Sequence, residues 1–521
     1  MVGLDITMDD GDVAVDVQPA LGRTDAGVAA ALDGQSISPQ ELSVGSGHLT
    51  VRPSEGTKGI QQAVNNLPAD GGLISLTKGV YDVNNGAQYP GNAVIVDKDN
   101  VAIIGQGRET VIRTPDGYSP DERGQKIIDL GGNDADDGND DHPGFTSLNF
   151  VDGCVVANLS IDGNWQNQTP IDDTTSDGAG YDGHNLEAKG ADNHFFNIWS
   201  HDSTGDGIEL TNRAEPVETL RNIVWGCTFR NNWEHCIHVH GGGDTILMGN
   251  VCDGEENNGV LHLSNAAASF SNVIILGNIF KNGKVFGVDL SAGRNHSNAV
   301  DHVTFAYNIV ENNVDDGVRI RGESSADVWA KHNIVRNNGG SGFHVYGRME
   351  RCCIAENETS SNQLHGVFLT QAEDGSTNAQ LRNIYVKNNW VYGNNQADGF
   401  NAGIFVSIDG QPLENVRITG NDVISEGSVL HQHGIWFREL SAGTYDDVIA
   451  KRNFVKGFDG NAINDDIGVL RTNNDNVDDA VSAVPAVLGP SAGDEYLDDG
   501  TNTSSGNPSY RYYDGTAWVD L

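Results

Sequence analysis

Four ionisable residues stand at repeated positions beside short glycine-led segments: Asp182, Asp206, Glu209 and His238. Hydrolysis of a glycosidic bond needs two carboxyl groups about 5 to 9.5 Å apart. Asp182 and Asp206 each precede a glycine in successive units, so a separation of about 5 Å is expected if the units stack as β-strands. We therefore predict that these four residues are catalytic, and that an imidazole assists the carboxylates.

A lyase reaction is the alternative chemistry. There, a base such as Arg319 or His238 would remove a proton beside a uronate, and Ca²⁺ would neutralise the sugar carboxylate. One acidic stretch offers oxygen ligands without the spacing of an EF-hand; it comprises Asp134, Asp136, Asp137, Asp140 and Asp141. The sequence leaves open a calcium site or a solvated loop, and it indicates no other cofactor.

A line of polar and aromatic residues follows from placing the glycine-led strands in register. Alternate residues then point outward and form one column with Asn185, Glu209, His238, Leu261 or His262, Asp289, Arg319, His344, Phe368, Phe405 and Trp436. Two residues further along each strand lie Glu187, Thr211, His240, Ser264, Ser291, Arg321, Tyr346, Thr370, Ser407 and Arg438.

Such a line has the composition of a glycan groove, in which polar groups meet hydroxyls and rings meet sugar faces. The predicted glycan-binding residues are His240, Asp289, Arg319, Arg321, His344, Tyr346, Phe368, Phe405 and Trp436. An ordinary solvated face or a contact between protomers would also use polar residues. Three aromatic residues expected to be exposed in one line favour the groove.

An internal repeat must position these residues. Asparagines at 250, 278, 308, 333 and 357 lie 28, 30, 25 and 24 residues apart. The first apolar residue after the glycine follows each of them by ten positions, at Val260, Val288, Val318, Phe343 and Val367. Length variation is therefore confined to the segment after the glycine-led strand.

The repeated unit consists of short alternating β-branched pieces separated by Gly and Asn, which predicts strands and not helices. Stacking such coils at the strand spacing of about 4.8 Å buries their inward side chains in one continuous core. Asparagines at the same corner of successive coils can then bond amide to amide. We predict an all-β solenoid of about a dozen coils and a structural role for the repeated asparagines.

A resemblance to a known superfamily appears near the start of the repeat. The stretch from Gly59 to Val64, then Gly71 to Tyr81 and Val101 to Gly107, resembles the opening of pectate-lyase-superfamily right-handed parallel β-helices. The resemblance covers roughly residues 50–470 and implies a short helix that caps the solenoid end. Its apolar stripe would comprise Ile60, Ala63, Val64 and Leu67. The superfamily includes lyases, hydrolases, epimerases and phage tailspikes, so it specifies fold and not activity.

Composition divides the chain into four parts. Residues 1–48 are predicted to be a virion-attachment or accessory segment, 49–470 the β-helix, 471–492 a linker and 493–521 a small hairpin-like segment turning at Asp514-Gly515. The last segment is similar to the ends of tailed-virus fibre and tailspike proteins. That resemblance implies a homotrimer which joins other tail or baseplate proteins and binds a host surface glycan or glycoprotein.

Charge and cysteines limit the function classes. Asp and Glu outnumber Lys and Arg 73 to 31, for a net charge of −42, which argues against a nucleic-acid partner. Molar salt, with a Debye length of about 3 Å, would screen the repulsion, so we predict a halophilic source. No apolar window is long enough for membrane insertion. The six cysteines form no disulfide framework; Cys154, Cys227, Cys252, Cys352 and Cys353 are expected to be buried thiols.

Two functions are consistent with these sequence features. The first is a tailspike or tail-fibre protein in the virion tail of a haloarchaeal virus, which binds host glycans with or without depolymerase activity. The second is a secreted halophilic polysaccharide lyase or glycoside hydrolase. The N-terminus shows no export signal, which favours the first function. The identity of the glycan and the occurrence of cleavage are left open.

Overall fold

The computed structural model defines the path of most of the chain. It describes residues 3–9, 12–18, 47–83, 92–117, 126–131, 150–168, 183–211, 221–240, 242–255, 259–264, 270–291, 300–322, 326–371, 380–394, 402–425, 433–458, 462–467, 470–472, 475–476, 495–498, 509–513 and 518–520. Within these residues, no helix has the length and apolarity needed to span a membrane. Asp182 and the acidic stretch from Asp134 to Asp141 lie outside the described residues.

Parallel pairing between successive coils builds three faces. The first face contains Gly47–Val51, Gly72–Leu76, Val101–Ile104, Val155–Asp162, His194–His201, Ile223–Trp225, Gly242–Gly243, Ile246–Met248, Phe270–Leu276, Val300–Ala306, Ala326–Lys331, Arg351–Ala355, Gln380–Lys387, Leu413–Thr419, Tyr445–Lys451 and Leu470–Thr472. The second face contains Gly79–Asp82, Thr110–Arg113, Thr228–Asn232, Val251–Glu255, Ile279–Lys281, Ile309–Glu311, Ile334–Arg336, Glu358–Ser360, Trp390–Tyr392, Asp422–Ile424, Phe454–Lys456 and Asp475–Asn476, together with the ends of two long first-face strands.

The third face is the one that carries the predicted functional line. It contains Asn92–Val96, Lys126–Leu130, Leu186–Lys189, Ile208–Thr211, Ile237–His240, Leu261–Ser264, Val288–Ser291, Val318–Gly322, Phe343–Met349, Val367–Thr370, Ala402–Asp409, His433–Ser441 and Ile463–Asp465. These thirteen described strands agree with the prediction of about a dozen coils.

The core is one continuous apolar cluster that runs from Val51 to Ala462. Short second-face strands such as Ile309–Glu311 bury only their middle residue, Val310, as the two-residue period of a strand requires. Each coil alone would leave its inward side chains exposed, so the neighbouring coils complete the core.

The predicted asparagine ladder is confirmed. Asn308 Oδ1 accepts the backbone N–H and the side-chain Nδ2–H of Asn278 at 2.9 and 3.0 Å, and Asn308 Nδ2 donates to Asn333 Oδ1 at 3.1 Å. The same pattern joins Asn250, Asn278, Asn308, Asn333, Asn357, Asn389, Asn421 and Asn453. Every rung is buried, so the ladder satisfies polar groups that would otherwise destabilise the corner.

The residue before each rung turns the chain through the left-handed region. Gly277 has φ 65°, and Tyr307 and His332 adopt 56° and 55° at the same corner. Glycine enters this region without a Cβ clash, whereas the other residues are strained there. The Gly-Asn pairs of the repeat thus mark the corner between the first and second faces.

A second ladder was not predicted. Asn313, Asn338, Asn362 and Asn394 bond amide to amide at 2.8 to 2.9 Å at the corner between the second and third faces. Its sequence signal was available, because each member follows a first-ladder asparagine by five residues.

The predicted capping helix is present as Gly56–Asn66, with Ile60, Ala63 and Val64 buried and Leu67 buried just beyond it. Lys98 Nζ donates to the carbonyls of Val64, Asn65 and Leu67 at 2.8 to 3.0 Å. These bonds satisfy carbonyls that a helix end leaves without partners.

The sequence left the register of one strand open, and the structure settles it. Leu261 pairs with Val288, and His262 pairs with Asp289. The sequence pattern places the first apolar residue of each strand ten positions after the ladder asparagine, but stacking depends on the length of the turn between them. After Asn250 that turn is one residue longer, so Leu261 and not Val260 takes the stacked position.

Outside the solenoid, Gly3–Asp9 pairs antiparallel with Asp12–Gln18, and Ser509–Tyr513 pairs antiparallel with Glu495–Asp498 and Trp518–Asp520. The four domain boundaries stay predictions. All six cysteines are buried and none of them forms a disulfide, which agrees with the prediction made for five of them. Burial raises the pKa of the Cys227 thiol to about 12.

Candidate functional site

Strand register aligns one position of every third-face strand into a column, here called the central column. Its members are Ile95, Asp129, Glu187, Glu209, His238, His262, Asp289, Arg319, His344, Phe368, Phe405, Trp436 and Asn464. The choice between Leu261 and His262 is settled in favour of His262. The prediction of Asn185 is wrong, because Glu187 is the residue that pairs with Glu209. Asn185 instead donates to Ser200 Oγ and to the His201 carbonyl.

Two further columns flank the central column. The outer column, two residues later, includes Lys189, Thr211, His240, Arg321, Tyr346, Thr370, Ser407 and Arg438. The leading column, three residues earlier, includes His184, Asp206, His235, Phe286, Asp316, Ser341, His365, Ala402 and His433. His184 therefore lies opposite Asp206, and Asp206 N–H donates to His184 Nδ1 at 3.1 Å. His184 thus occupies the position opposite Asp206 that was predicted for Asp182; Asp182 itself lies outside the described residues.

The Asp206 carboxylate contacts three imidazoles, of which His184 is the most distant, with its Nδ1 3.4 Å from Asp206 Oδ2. Asp206 Oδ1 accepts the backbone N–H of His235 at 2.9 Å and lies 2.8 Å from His235 Nδ1; Asp206 Oδ2 lies 3.0 Å from His238 Nδ1. Burial alone would raise the pKa of Asp206, but the charges and hydrogen bonds of His238 and His235 outweigh it and hold that pKa well below its usual value. The side chain is 0% exposed, so in this geometry Asp206 positions imidazoles and does not itself meet a ligand.

Glu209 lies on the same coil as Asp206, in the central column. Its Oε2 is 2.7 Å from His184 Nε2, and its Oε1 is 3.4 Å from His240 Nε2. Glu209 pairs directly with His238 of the next coil. The three predicted catalytic residues that the structure describes, Asp206, Glu209 and His238, are thus brought together, with His184 as an unpredicted fourth member.

His238 and His262 stack face to face, with ring centroids 4.8 Å apart and planes 8° apart. Burial lowers the pKa of His238, although Asp206 opposes the shift. Burial and then the positive charge of neighbouring histidines hold the pKa of His262 well below its usual value. Neutral imidazoles at neutral pH can accept a proton or bind a metal ion.

Basic side chains follow on the next coils. Arg321 Nη2 lies 3.0 Å from Asp289 Oδ2, and Arg319 Nε lies 3.1 Å from Asp316 Oδ2. Burial raises the pKa of Asp289 even though Arg321 and Arg319 oppose the shift. The two arginine side chains are 19% and 18% exposed, so both are partly accessible from the surface of the third face.

His344 and Tyr346 are mostly covered. His344 Nδ1 lies 2.9 Å from Asp316 Oδ2, and its ring lies 4.7 Å from that of Tyr346. Their exposed fractions are 3% and 8%. Both belong to the predicted line, and Asp316 orients His344 as Asp206 orients His238.

The aromatic residues at one end of the central column are less exposed than predicted. Phe368, Phe405 and Trp436 are consecutive, with centroid distances of 5.3 and 5.1 Å. Phe405 and Trp436 are nevertheless buried, and His365 packs against Phe405 at 4.7 Å. The prediction of an exposed aromatic line is therefore wrong for these two residues, because the rings pack against one another and against the leading column.

The opposite end holds a buried ion-pair cluster that was not predicted. Lys126 Nζ lies 2.6 Å from Glu187 Oε2, and Lys189 Nζ lies 3.2 Å from the same atom. His184, His235 and these lysines are the residues that sequence reasoning missed. Counting three residues back from Glu187 and His238 would have identified the two histidines.

Several of these side chains could hold a metal ion. One donor atom from each of Glu209, His238 and His240 lies within 4.8 Å of the other two, and the same holds for His235, His238 and His262. The predicted Ca²⁺ stretch lies outside the described residues, so the calcium prediction stays a prediction.

Known proteins share the architecture. The family described as "Right handed beta helix region" matches residues 146–329. The A-module of the mannuronan C-5 epimerase AlgE6 from Azotobacter vinelandii aligns with a TM-score of 0.51 at 15% identity, over 81% of this chain and 95% of that one. The chain is a right-handed parallel β-helix.

Two other structures align less well. A mutant tailspike protein of E. coli bacteriophage HK620 aligns with a TM-score of 0.49 at 12% identity, over 78% of this chain and 74% of that one. PfbA, a surface adhesin of Streptococcus pneumoniae, aligns with a TM-score of 0.46 at 12% identity, over 89% and 96%. No curated protein sequence matches the chain. These likenesses concern the fold alone.

Proposed function

We propose that the chain is a tailspike or tail-fibre protein in the virion tail of a haloarchaeal virus, and that it binds a host surface glycan along the third face. The observation that carries the proposal is the central column, which aligns carboxylates, imidazoles and an arginine over consecutive coils. A linear polymer lying along the axis would meet a new set of side chains about every 4.8 Å. Such a surface suits a repeating ligand better than a compact one.

Two arginines on the third face support an anionic glycan, and the histidines beside them add hydrogen-bonding groups. The chain carries a net charge of −42 and has 16 histidines. Among the described residues, the histidines on the third face or in the leading column are His184, His235, His238, His240, His262, His344, His365 and His433. Arg319 and Arg321 lie on the same face and can pair with carboxylate or sulfate groups. In molar salt such short-range contacts persist, whereas the long-range repulsion is screened.

The fold is compatible with this use. The aligned A-module belongs to an enzyme that acts on mannuronan, a polysaccharide. Since one fold hosts unrelated functions, the proposal depends on the side chains of the third face and not on that likeness.

The proposed assembly is a homotrimer that joins other tail or baseplate proteins and binds neither nucleic acid nor membrane. Light scattering in molar KCl should give three times the mass of one chain. A monomer at micromolar concentration would contradict the trimer. It would not bear on glycan binding, which has its own test.

The test of glycan binding uses two arginine variants. Arg319→Gln should weaken binding to purified host envelope polysaccharide about tenfold, or about 1.4 kcal/mol, because a charge-assisted contact is lost. The matched control is Arg336→Gln on the second face, whose Arg336 also pairs with a carboxylate, Glu311, at 2.8 Å. Equal binding by wild type and both variants in molar KCl, with unchanged circular dichroism, would contradict a third-face site.

A secreted halophilic polysaccharide lyase or glycoside hydrolase is the second candidate, favoured by the pairing of Glu209 with His238, which Asp206 positions. Asp206→Asn and Glu209→Gln should then abolish release of reducing ends from the polysaccharide without unfolding the solenoid. Reducing ends measure hydrolysis, and absorbance of an unsaturated uronate measures elimination. Full turnover in both variants would mean that the catalytic site lies elsewhere.

A further inference from the structure

Glu209, His238 and His240 converge on one point of the third face. His238 and His240 are two residues apart on one strand, where backbone positions are separated by roughly 6.6 Å. Their ring centroids are only 3.7 Å apart, so the two rings lean toward each other. Glu209 faces them from the adjacent coil as the register partner of His238.

The spacing of the donor atoms fits a metal ion. Glu209 Oε1 and His240 Nε2 are 3.4 Å apart. Two ligands held about 2.1 Å from a tetrahedral zinc ion are separated by roughly the same 3.4 Å. One donor atom of His238 lies within 4.8 Å of both, so small side-chain rotations would complete a three-ligand set.

A second layer of residues orients two of the ligands. Asp206 Oδ2 lies 3.0 Å from His238 Nδ1, which holds the proton on Nδ1 and makes Nε2 the nitrogen that would bind the ion. His184 Nε2 lies 2.7 Å from Glu209 Oε2, which leaves Oε1 directed at His240. A carboxylate behind a ligating histidine is the usual arrangement of metal centres in proteins.

We propose that Glu209, His238 and His240 form a binding site for a first-row divalent transition-metal ion of the zinc class. Two imidazoles and one carboxylate select such an ion over Ca²⁺ or Mg²⁺, which take oxygen ligands. Glu209 is 1% exposed, whereas the His240 side chain is 13% exposed. The buried Glu209 therefore binds the ion on the side of the core. A water molecule or another ligand would bind it on the more exposed side, next to His240. This site is independent of the proposed glycan binding.

A competing set shares one residue with this site. His235, His238 and His262 also lie close together. The rings of His238 and His262 are parallel within 8°, so their in-plane lone pairs do not converge on one ion. The set that contains Glu209 and His240 is the better ligand geometry.

The experiment measures metal binding by the full chain in molar KCl after treatment with EDTA and dialysis. Zn²⁺ is titrated in competition with a chromophoric chelator, and Co²⁺ is added separately so that its visible absorption reports the coordination number. We expect one ion per chain. His238→Gln and His240→Gln should each weaken Zn²⁺ binding by more than about a hundredfold, and Asp206→Asn by about tenfold as a positioning residue.

His344→Gln is the matched control. His344 belongs to the same central column, and its Nδ1 lies 2.9 Å from Asp316 just as that of His238 lies near Asp206. It stands outside the three-ligand set, so its substitution should leave Zn²⁺ affinity unchanged. A loss equal to that of His238→Gln would show that any buried histidine of the column matters, and would overturn the site.

Two other outcomes would also overturn the proposal. One is the absence of stoichiometric Zn²⁺ or Co²⁺ binding by the wild type. The other is a loss of affinity in His262→Gln with none in His240→Gln, which would assign the ion to the three-histidine set. If a variant fails to fold, X-ray absorption of the Zn²⁺-loaded wild type decides the question: two imidazoles with a carboxylate support the site, and three imidazoles contradict it.

Discussion

Two polar columns run along the same coils of this solenoid and differ in almost every property. The asparagine ladder repeats one neutral residue, and each interior amide both accepts and donates, as Asn308 does with Asn278 and Asn333. The central column changes residue type from coil to coil, and its charges depend on flanking residues. The ladder is a uniform structural support, whereas the central column varies its chemistry along the axis.

The two columns differ in how many of their buried polar atoms have a hydrogen-bond partner. Asn308 Nδ2 also reaches the Ile275 carbonyl at 3.0 Å, so no polar atom of its amide is left over. On the third face, buried His235 Nε2 and Asp289 Oδ1 have no hydrogen-bond partner. A native fold tolerates few such atoms, and their presence on the third face favours a surface arranged for a ligand and not for stability alone.

The largest expected effect is on the ladder. Asn308→Ala removes four hydrogen bonds and leaves their buried partners unsatisfied, so we expect a loss of about 4 kcal/mol in unfolding free energy. Chemical denaturation in molar KCl measures it. The exposed helix residue Asn65 serves as control, since Asn65→Ala should change stability by less than about 0.5 kcal/mol. Similar effects of the two substitutions would mean that the ladder contributes no more than a surface amide.

The next effect depends on pH and separates the ionisable columns from the neutral ladder. Burial lowers the pKa of His365 to about 4, and its Nδ1 accepts the N–H of Ala402 at 3.1 Å. The folded protein therefore keeps His365 neutral while the unfolded chain takes up a proton near its ordinary pKa of about 6.5. The contribution of the neutral His365 to the free energy of unfolding is fully present above about pH 6.5. It falls by about 3 kcal/mol as the pH drops from about 6.5 to 4.

Denaturation midpoints of wild type and His365→Gln between pH 8 and 4 measure this contribution. The variant should lack that part of the slope, whereas Asn308→Ala should keep it, because the ladder holds no titratable group. Parallel pH profiles for wild type and His365→Gln would contradict the assignment of a neutral buried imidazole.

The smallest expected effect concerns Asp289. Burial raises the pKa of this carboxyl, so its charged form contributes little net stability despite the Arg321 contact. Asp289→Asn should change the free energy of unfolding by less than about 1 kcal/mol, in either direction. Glycan binding should weaken in the same variant because Arg321 loses the partner that orients it. A stability loss as large as that of Asn308→Ala would erase the distinction between the two columns.

The repeat itself made much of the fold predictable. Equal spacing of Asn278, Asn308 and Asn333 from their following strands placed them in one column, and the apolar stripe around Ile60 placed the capping helix. Register near Val260 and Asn185 was not predictable in the same way, because one or two residues added in a turn shift the alignment of the next strand without a visible change in pattern.

The sequence predicted which side chains of the candidate site point away from the core, but it did not predict how deeply they are buried. Alternation along a strand placed Glu209, His238 and Phe405 away from the core, and the structure keeps that parity. Alternation does not specify what covers an outward side chain, so the burial of Phe405 and Trp436 had no local signal. The carboxylate–imidazole contacts of Asp206 required both the register and the leading column.

By itself, the sequence determined that like positions of this chain would lie above one another, because a repeated short unit can bury its apolar side only against its own neighbours. Only the tertiary structure decided which imidazole nitrogen faces which carboxylate oxygen, and how much water reaches them. Those contacts join residues that are separated by a whole coil, and their geometry depends on turns whose lengths vary from one coil to the next.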